Sequence, residues 1–464
     1  MPQVLAETGS FRDPRGRIFH VSGRLFRTVM PVAANDFDAV RSSGFINELV
    51  AGGNLVAETI VDKSILGRDG EQAAYVLEHP KLPFVSYPYE WSFEGLKKAA
   101  LLHLEIQQAA LHADVALTDA TAYNIQFVGP KPIFIDSLSF RPYADGEYWA
   151  GHRQFCEQFI NPLLLRAAAG LAHNAWFRGS LEGISAEETS RVLPWHSRLS
   201  WNTFTNVFLQ ARLQRSSAGA QESIAKIKAR RLPRIGFEQI LHGLHRWIGK
   251  LKPKTDSKTV WADYAQDNSY AHEETEKKRA FVADFVGRVQ PGLILDIGCN
   301  TGDYSALALA TGANLAIGFD FDHSALDAAF RRAEQDSLNF LPLHLDAANP
   351  SPNQGWLQAE RLGFQARAKG DAVLALALVH HLAIAKNLPL GQIVDWLVSM
   401  APQGVIEFVP KSDPMVQRLL QLREDLFDDY DGGIFENLIG NAARIVRSET
   451  VSSSARTLYW YDRS

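Results

Sequence analysis

The chain has 464 residues, a length that favours two domains over one. Its hydrophobic fraction of 46%, charged fraction of 21% and net charge of −5 are those of an ordinary globular protein, and they argue against a nucleic-acid partner. The two cysteines, Cys156 and Cys299, exclude a disulfide framework and a CxxC metal site. Because we find neither a secretion signal nor an apolar stretch long enough to span a bilayer, we expect a cytoplasmic protein.

Residues 1–212 mix short β-like runs with amphipathic helices, which predicts an α+β domain. Within it, the strongly helical run 92–111 leads to Asp119 and then Asn124, and a β-like run ends at Asp136. This order resembles the protein-kinase-like fold, in which the first Asp accepts the substrate proton while the Asn and the second Asp hold magnesium. The resemblance implies a metal site at Asn124 and Asp136 if the domain is an active kinase.

Three departures from the kinase-like pattern leave alternatives open. Leu117 stands where that family has a histidine or tyrosine, the upstream sequence offers no Gly-rich phosphate loop, and no lysine lies on a convincing third strand. The domain is therefore either a catalytic kinase or a kinase-like module that only binds the substrate. In a third interpretation, Asp119, Asn124 and Asp136 are ordinary turn and cap residues.

Residues 213–258 are rich in lysine and arginine, and we predict a basic helical linker there. Within 236–254, apolar residues recur at helical spacing with basic residues beside them. A basic amphipathic helix of this kind can lie on an anionic membrane surface, which predicts a peripheral membrane contact through 236–254. The alternative is that the apolar stripe packs onto a neighbouring domain.

Residues 259–464 alternate between strand and helix patterns, which predicts a doubly wound α/β sheet with an antiparallel hairpin at one edge. The predicted helices include 304–310 and 324–333. The predicted strands are 293–297, 315–321, 340–345, 372–379 and 405–409, followed by the hairpin strands 443–449 and 457–462.

The turn after the first of these strands has the composition of a nucleotide-binding loop. Gly298 and Gly302 allow close backbone approach, and Asn300 between them tolerates a positive φ. A dinucleotide would require further glycines at 300 and 303, and the Asp303 carboxylate would repel a pyrophosphate. S-adenosylmethionine carries an amino group and a sulfonium, so Asp296 and Asp303 favour the methyl donor.

Two further carboxylates extend this site. Asp320 ends the second strand, where it can accept both hydroxyls of a ribose. Asp346 follows the third strand, where it can accept from an adenine amino group. A single acid at a strand end is usually a helix cap, but acids at three successive strands favour a binding function.

Four segments resemble the successive motifs of class I S-adenosylmethionine-dependent methyltransferases, namely LDIGCNTGDYS, AIGFDFDHSALDAA, LHLDAANP and DAVLALALVHHL. The resemblance implies a Rossmann-like, seven-stranded domain with S-adenosyl-L-methionine as cofactor. It places Asp320 at the ribose, Asp346 at the adenine, and the methionine end against Asp296, Gly298, Asn300 and Gly302. Asn300 departs from the family, which usually has glycine at the middle position.

Methyl transfer requires a general base only if the acceptor atom is protonated at neutral pH. The candidates are His380 and His381 after the fourth strand and Glu407 on the fifth, whose ends face the ligand crevice. In a structural interpretation, one histidine caps the next helix and the other is solvated.

The whole chain resembles bacterial methyltransferases associated with nodulation and surface polysaccharides. This resemblance implies a small-molecule or glycan acceptor for the methyl group. Two alternatives stay open: a bifunctional kinase–methyltransferase that acts on a polysaccharide end, and a non-catalytic scaffold that binds S-adenosylmethionine.

Overall fold

A computed structural model describes residues 3–212, 231–254, 272–421 and 424–464. The chain divides into two compact units, Met1–Asp256 with Asn353–Arg361 and Ser257–Pro352 with Leu362–Ser464. The second unit begins close to the predicted start of the α/β domain at 259. Of the predicted linker, residues 213–230 and 255–258 lie outside the described residues.

The first unit contains a five-stranded antiparallel sheet in the order β1-β2-β3-β5-β4. Ser22 and Gly23 join β2 to β3, and both have a positive φ, which suits a two-residue hairpin turn. Phe19 of β2 pairs with Phe26 of β3, and both rings lie in the core beneath the sheet. The strands are β1 Val4–Ala6, β2 Ile18–Val21, β3 Arg24–Val29, β4 Thr59–Val61 and β5 Tyr75–His79.

The helix Phe93–His112 is the longest of the first unit's described helices and confirms the prediction for 92–111. It begins at Ser92, whose hydroxyl accepts a hydrogen bond from the Gly95 N–H, and buries one whole side. The chain then forms two antiparallel pairs, β6 with β9 and β7 with β8. Their bounds are β6 Val115–Leu117, β7 Ile125–Val128, β8 Lys131–Phe134 and β9 Phe140–Pro142.

The remaining helices of the first unit are short, apart from two longer ones at Pro31–Ser42 and Arg234–Lys250. The α-helices are Phe45–Ala51, Arg68–Gln72, His152–Phe155, Asn161–Leu164, Asn174–Gly179, Ala186–Val192 and Trp201–Thr203. The π-helical segments are Cys156–Ile160, Leu165–Ala169 and Phe204–Leu209. The 3-10 turns are Lys63–Leu66, Pro88–Glu90, Ala122–Asn124, Ser137–Ser139, Trp195–Leu199 and Trp356–Gln358.

The helix Arg234–Lys250, predicted as part of a linker, belongs to the first unit. It packs along Phe93–His112 and buries Phe237, Leu241, Leu244 and Ile248. Its apolar stripe therefore packs against another helix of the same unit. This is the arrangement that we gave as the alternative to a membrane contact through 236–254. Among the helices in the described ranges, none has the length and apolarity to cross a membrane.

The second unit is built on a seven-stranded sheet in the order β12-β11-β10-β13-β14-β16-β15. The first five of these strands are parallel, whereas β16 runs antiparallel to both β14 and β15. The strands are β10 Leu293–Ile297, β11 Leu315–Asp320, β12 Phe340–His344, β13 Ala372–Ala375, β14 Gln403–Phe408, β15 Arg444–Thr450 and β16 Thr457–Asp462. This arrangement confirms the Rossmann-like methyltransferase sheet and its terminal hairpin.

Helices cover the sheet and bury apolar side chains such as Phe285 and Leu326 against it. The α-helices are His272–Val289, Asp303–Thr311, His323–Gln335, Phe364–Arg367, Leu390–Val398, Pro414–Leu420 and Gly432–Ala442, and a π-helical turn spans His381–Ala385.

β13 ends earlier than predicted, at Ala375 instead of residue 379. The reason lies at Ala377, which has a φ of 51° and donates its N–H to Glu407 Oε2 at 2.7 Å. A residue in this left-handed conformation cannot continue the strand.

Candidate active site

A cavity of about 700 Å³ opens at the carboxyl ends of β10, β11, β12 and β13. Four of the predicted cofactor-binding residues line it, namely Gly298, Asn300, Asp320 and Asp346. Doubly wound sheets bind their ligands at this end of the strands, and the volume is that of an ordinary small-molecule site. The cavity is therefore the candidate active site.

The loop after β10 has three residues in the left-handed region, Gly298 with φ 87°, Asn300 with φ 48° and Gly302 with φ 81°. The positive φ expected to be tolerable at Asn300 is confirmed. Gly302 also has no room for a side chain, because a Cβ there would lie 2.4 Å from Cε1 of Phe340. Gly302 does not itself line the cavity; it allows the loop to approach β12 closely.

The Asp320 carboxylate is fixed by backbone N–H groups on both oxygens. Asn300 donates to Oδ2 and Asp322 donates to Oδ1, both at 2.8 Å. Burial raises the pKa of Asp320 above its ordinary value, and the two N–H groups oppose that rise. The N–H of Asn300 thus links the glycine loop to the acid at the end of β11.

Asp346 lies on the next strand connection, and its Oδ1 accepts a hydrogen bond from the Ala348 N–H at 3.1 Å. β11 and β12 are paired with Asp320 opposite His344, two residues before Asp346. The two carboxylates therefore line one wall of the cavity from adjacent strands.

Asp296 and Asp303 lie in different surroundings, although both were predicted to face the cationic end of the cofactor. Asp296 is buried below the loop, accepts a 2.6 Å hydrogen bond from the Ser305 hydroxyl and does not line the cavity. Burial raises the pKa of Asp296 to about 6. Asp303 lines the cavity, but it is exposed and pairs with Arg332 at 2.7 Å.

The structure separates the three predicted catalytic residues. His381 lines the cavity, whereas His380 and Glu407 are fully buried and lie outside its lining. Burial lowers the pKa of His381 to about 4, helped by the nearby Arg456, so its imidazole is neutral at neutral pH. Neither ring nitrogen of His380 has a hydrogen-bond partner among the described residues.

Glu407 is engaged by two donors. One carboxylate oxygen accepts from Lys278 Nζ at 2.6 Å and from the Ala377 N–H at 2.7 Å. A carboxylate held in this way is poorly placed to take a proton from an acceptor, but it fixes the strained turn after β13.

Comparison with known proteins identifies the family. No protein-family model matches the chain. It is 47% identical to the nodulation protein NoeA of Rhizobium meliloti (strain 1021) over 457 residues, which cover 98% of this chain and 96% of that protein. This chain belongs to the NoeA family.

Solved structures resemble the chain only distantly. The N-methyltransferase NodS from Bradyrhizobium japonicum WM9 is 13% identical, with a TM-score of 0.30 over 41% of this chain and 97% of NodS. The bifunctional kinase-methyltransferase WbdD is 17% identical, with a TM-score of 0.30 over 47% of this chain and 46% of WbdD. Likenesses at this level carry no argument about activity.

Sequence reasoning missed the cationic residues that line this cavity, namely Lys278, Arg279, Lys386 and Arg456. Lys278 lines it from the helix His272–Val289, with its Nζ 5.2 Å from the centre of the Tyr304 ring. Arg456, in the turn before β16, lines it while its Nε contacts Asp413 Oδ2 at 2.6 Å. Neither position carries a local signal, because a lysine on a charged helix and an arginine in a serine-rich turn resemble solvated residues.

The first unit brings Asp119, Asn124 and Asp136 together. The Asn124 side-chain nitrogen lies 3.4 Å from both carboxylate oxygens of Asp119 and from Asp136 Oδ2. Asp136 also caps the turn Ser137–Ser139 by accepting the Leu138 N–H at 3.0 Å. Burial and the neighbouring Asp136 charge raise the pKa of Asp119 to about 6.

Arg27 on β3 changes what this cluster can do. Its Nη1 lies 2.5 Å from Asp136 Oδ1 and its Nη2 lies 3.0 Å from Asp13 Oδ2, so the buried guanidinium joins both carboxylates. Within the described ranges, no group of three or more His, Cys, Asp or Glu side chains is placed to hold a metal ion. Arg27 thus occupies one oxygen of Asp136, and the magnesium site at Asn124 and Asp136 that an active kinase would require stays a prediction.

Proposed function

We propose that this chain is an S-adenosylmethionine-dependent methyltransferase that acts on a small-molecule or glycan acceptor. The observation that carries the proposal is the order of side chains around the cavity. The loop of Gly298 and Asn300 follows β10, Asp320 follows β11 and Asp346 follows β12. S-adenosylmethionine, when bound, supplies an electrophilic methyl group.

Each of these residues has a binding task that its surroundings support. The fixed Asp320 carboxylate has lone pairs left for two ribose hydroxyls, and Asp346 can accept from an adenine amino group. The backbone of Gly298 and Asn300 lets the ligand approach without Cβ interference. Leu376, Leu378 and Leu382 line the same cavity and would help to exclude water.

We assign the general-base role to His381, because it lines the cavity and is neutral at neutral pH. Glu407 and Lys278 are positioning residues in this scheme, since they hold the Ala377 turn beside the reacting groups. NoeA is named as a nodulation protein, and a glycan hydroxyl is an acceptor consistent with that name.

Calorimetric titration of S-adenosylmethionine tests the proposal. We expect the wild-type chain to bind the cofactor and Asp320→Ala to bind at least about tenfold more weakly, because a lost charge-assisted hydrogen bond costs about 1.5–3 kcal/mol. The matched control is Asp336→Ala, which removes an exposed carboxylate outside the cavity and should leave affinity unchanged.

Absence of cofactor binding, or equal affinities for Asp320→Ala and wild type, would contradict the proposal. The non-catalytic scaffold makes a separate prediction. It binds the cofactor but transfers no tritiated methyl group to any molecule in a lysate from a deletion strain.

A further inference from the structure

The surface formed by residues 191–212 of the first unit exposes an unusual set of side chains. Of the ten exposed side chains in this stretch, six are apolar and the other four are arginine or histidine. Trp195, Leu199 and Trp201 are 76%, 79% and 75% exposed. Large side chains exposed to this degree mark an interaction surface when they are grouped.

These side chains lie on helical segments that touch one another. The turn Trp195–Leu199 contacts both Trp201–Thr203 and Phe204–Leu209. The Trp201 and Phe204 rings stack with centroids 6.3 Å apart, and the Arg198 guanidinium lies 4.9 Å from the Phe208 ring centre. The apolar and cationic groups therefore form one surface, which we call the tryptophan surface.

The charged side chains within residues 191–212 are all cationic, whereas Glu187 and Glu188 lie just before them on the helix Ala186–Val192. The sequence from 189 to 212 contains no aspartate or glutamate, and the stretch that follows, to 254, is rich in lysine and arginine. Arg191 pairs with Glu187, which lies just before this stretch. The face thus suits an anionic partner.

We propose that the tryptophan surface docks the protein on an anionic lipid bilayer. Tryptophan prefers the membrane–water interface, where the ring is apolar and the N–H is hydrated, and arginine is attracted to lipid phosphates. Leu199 and Leu209 add aliphatic area that fits acyl chains.

A second copy of the chain is a less suitable occupant than a bilayer. A two-fold contact would place the same cationic patch against itself, which is repulsive. The tryptophan surface also differs from the amphipathic helix within 236–254, whose apolar stripe is covered by Phe93–His112. The proposal does not depend on methyl transfer.

Co-sedimentation of the full-length protein with phosphatidylcholine vesicles, with and without phosphatidylglycerol, tests this docking. We expect binding only when phosphatidylglycerol is present, and a loss of about tenfold or more in the Trp195→Ala/Trp201→Ala double variant. The control is Trp356→Ala, which removes a tryptophan that is 64% exposed in the same unit but outside the tryptophan surface.

Two outcomes would overturn the proposal at the vesicle step. One is no binding by the wild type to vesicles that contain phosphatidylglycerol. The other is equal binding by the double variant and Trp356→Ala, which would assign the attraction to the basic stretch alone. Sedimentation velocity supplies a third: a wild-type dimer that the double variant abolishes would assign the surface to a second copy.

Discussion

At the scale of single residues, the loop after β10 in the second unit shows two different reasons for glycine, backbone conformation and lack of space for a side chain. Gly298 and Gly302 both have φ above 80°, but they differ in the space around them. A Cβ at Gly298 would meet nothing closer than 3.7 Å, whereas one at Gly302 would overlap Phe340. Conformation alone requires glycine at the first position, while conformation and packing together require it at the second.

This difference predicts unequal costs for two identical substitutions. We expect Gly298→Ala to lower the free energy of unfolding by about 1–2 kcal/mol, the cost of a left-handed alanine. Gly302→Ala should cost about 2–5 kcal/mol, because overpacking against Phe340 is added. Urea denaturation of the two variants measures the difference, and equal midpoints would refute the steric argument.

His381 carries the second residue-scale prediction. We expect His381→Gln to lower kcat about 10²–10⁴-fold while the affinity for S-adenosylmethionine stays unchanged, because the substitution removes a base and not a cofactor contact. Since burial lowers the pKa of His381 to about 4, the wild-type rate should decline with acid only as the pH approaches that value. Two measurements check this. One is kcat with the acceptor that labelling identifies, and the other is a calorimetric titration of S-adenosylmethionine. A kcat within threefold of wild type would remove His381 from the mechanism.

At the scale of secondary-structure elements, the helix Phe93–His112 contains a histidine, His103, that is buried among aromatic rings. His103 is fully buried and stacks on Phe155 with ring centroids 5.4 Å apart. Neither of its ring nitrogens has a hydrogen-bond partner in the described part of the chain. Burial lowers its pKa from 6.5 to about 3, so the folded state holds this ring neutral.

The pH dependence of stability follows from that pKa. Between 6.5 and about 3 the unfolded state binds a proton that the folded state does not, so His103 makes stability fall with acid. The slope is about 1.4 kcal/mol per pH unit, and the His103 contribution is complete above the unfolded pKa. Between neutral pH and about pH 5, the wild type should therefore lose about 2 kcal/mol more than His103→Phe.

Denaturation at the two pH values measures this loss. The control is His112→Gln on the same helix, where the histidine is exposed and the pH dependence should match the wild type. Parallel pH profiles for His103→Phe and wild type would show that His103 is not the group responsible.

At the scale of the whole molecule, the two units differ in the chemistry that their acidic clusters permit. In the second unit, Asp320 and Asp346 line an open cavity. In the first unit, Arg27 holds Asp13 and Asp136, and Asn124 lies against Asp119. We therefore expect only the second unit to be catalytic, which argues against the bifunctional kinase–methyltransferase alternative.

Magnesium-dependent ATP hydrolysis tests this division. The wild-type chain should hydrolyse ATP no faster than Asp136→Ala, because the carboxylate that a metal would use is already neutralised by a guanidinium. Calorimetry should show that Asp136→Ala retains its affinity for S-adenosylmethionine. Turnover that requires magnesium and disappears in Asp136→Ala would restore the kinase alternative.

The sequence by itself determined the elements whose signals are local. The strand Leu293–Ile297, the hairpin strand Thr457–Asp462 and the positive φ of Asn300 agree with prediction. Apolar alternation, helix periodicity and turn chemistry act over a few residues, so one chain is enough to detect them. The order of glycines and acids along the parallel strands also predicted the position of the cavity.

Only the tertiary structure decided which side chains from distant parts of the chain contact one another. Asp296 lies under the loop against Ser305, and Glu407 is bound by Lys278, which is 129 residues away in the chain. Arg27 reaches Asp136 across 109 residues, and the helix Arg234–Lys250 packs against Phe93–His112. Contacts over such separations are set by which faces of distant elements pack together, and this packing leaves no periodic trace in the local sequence.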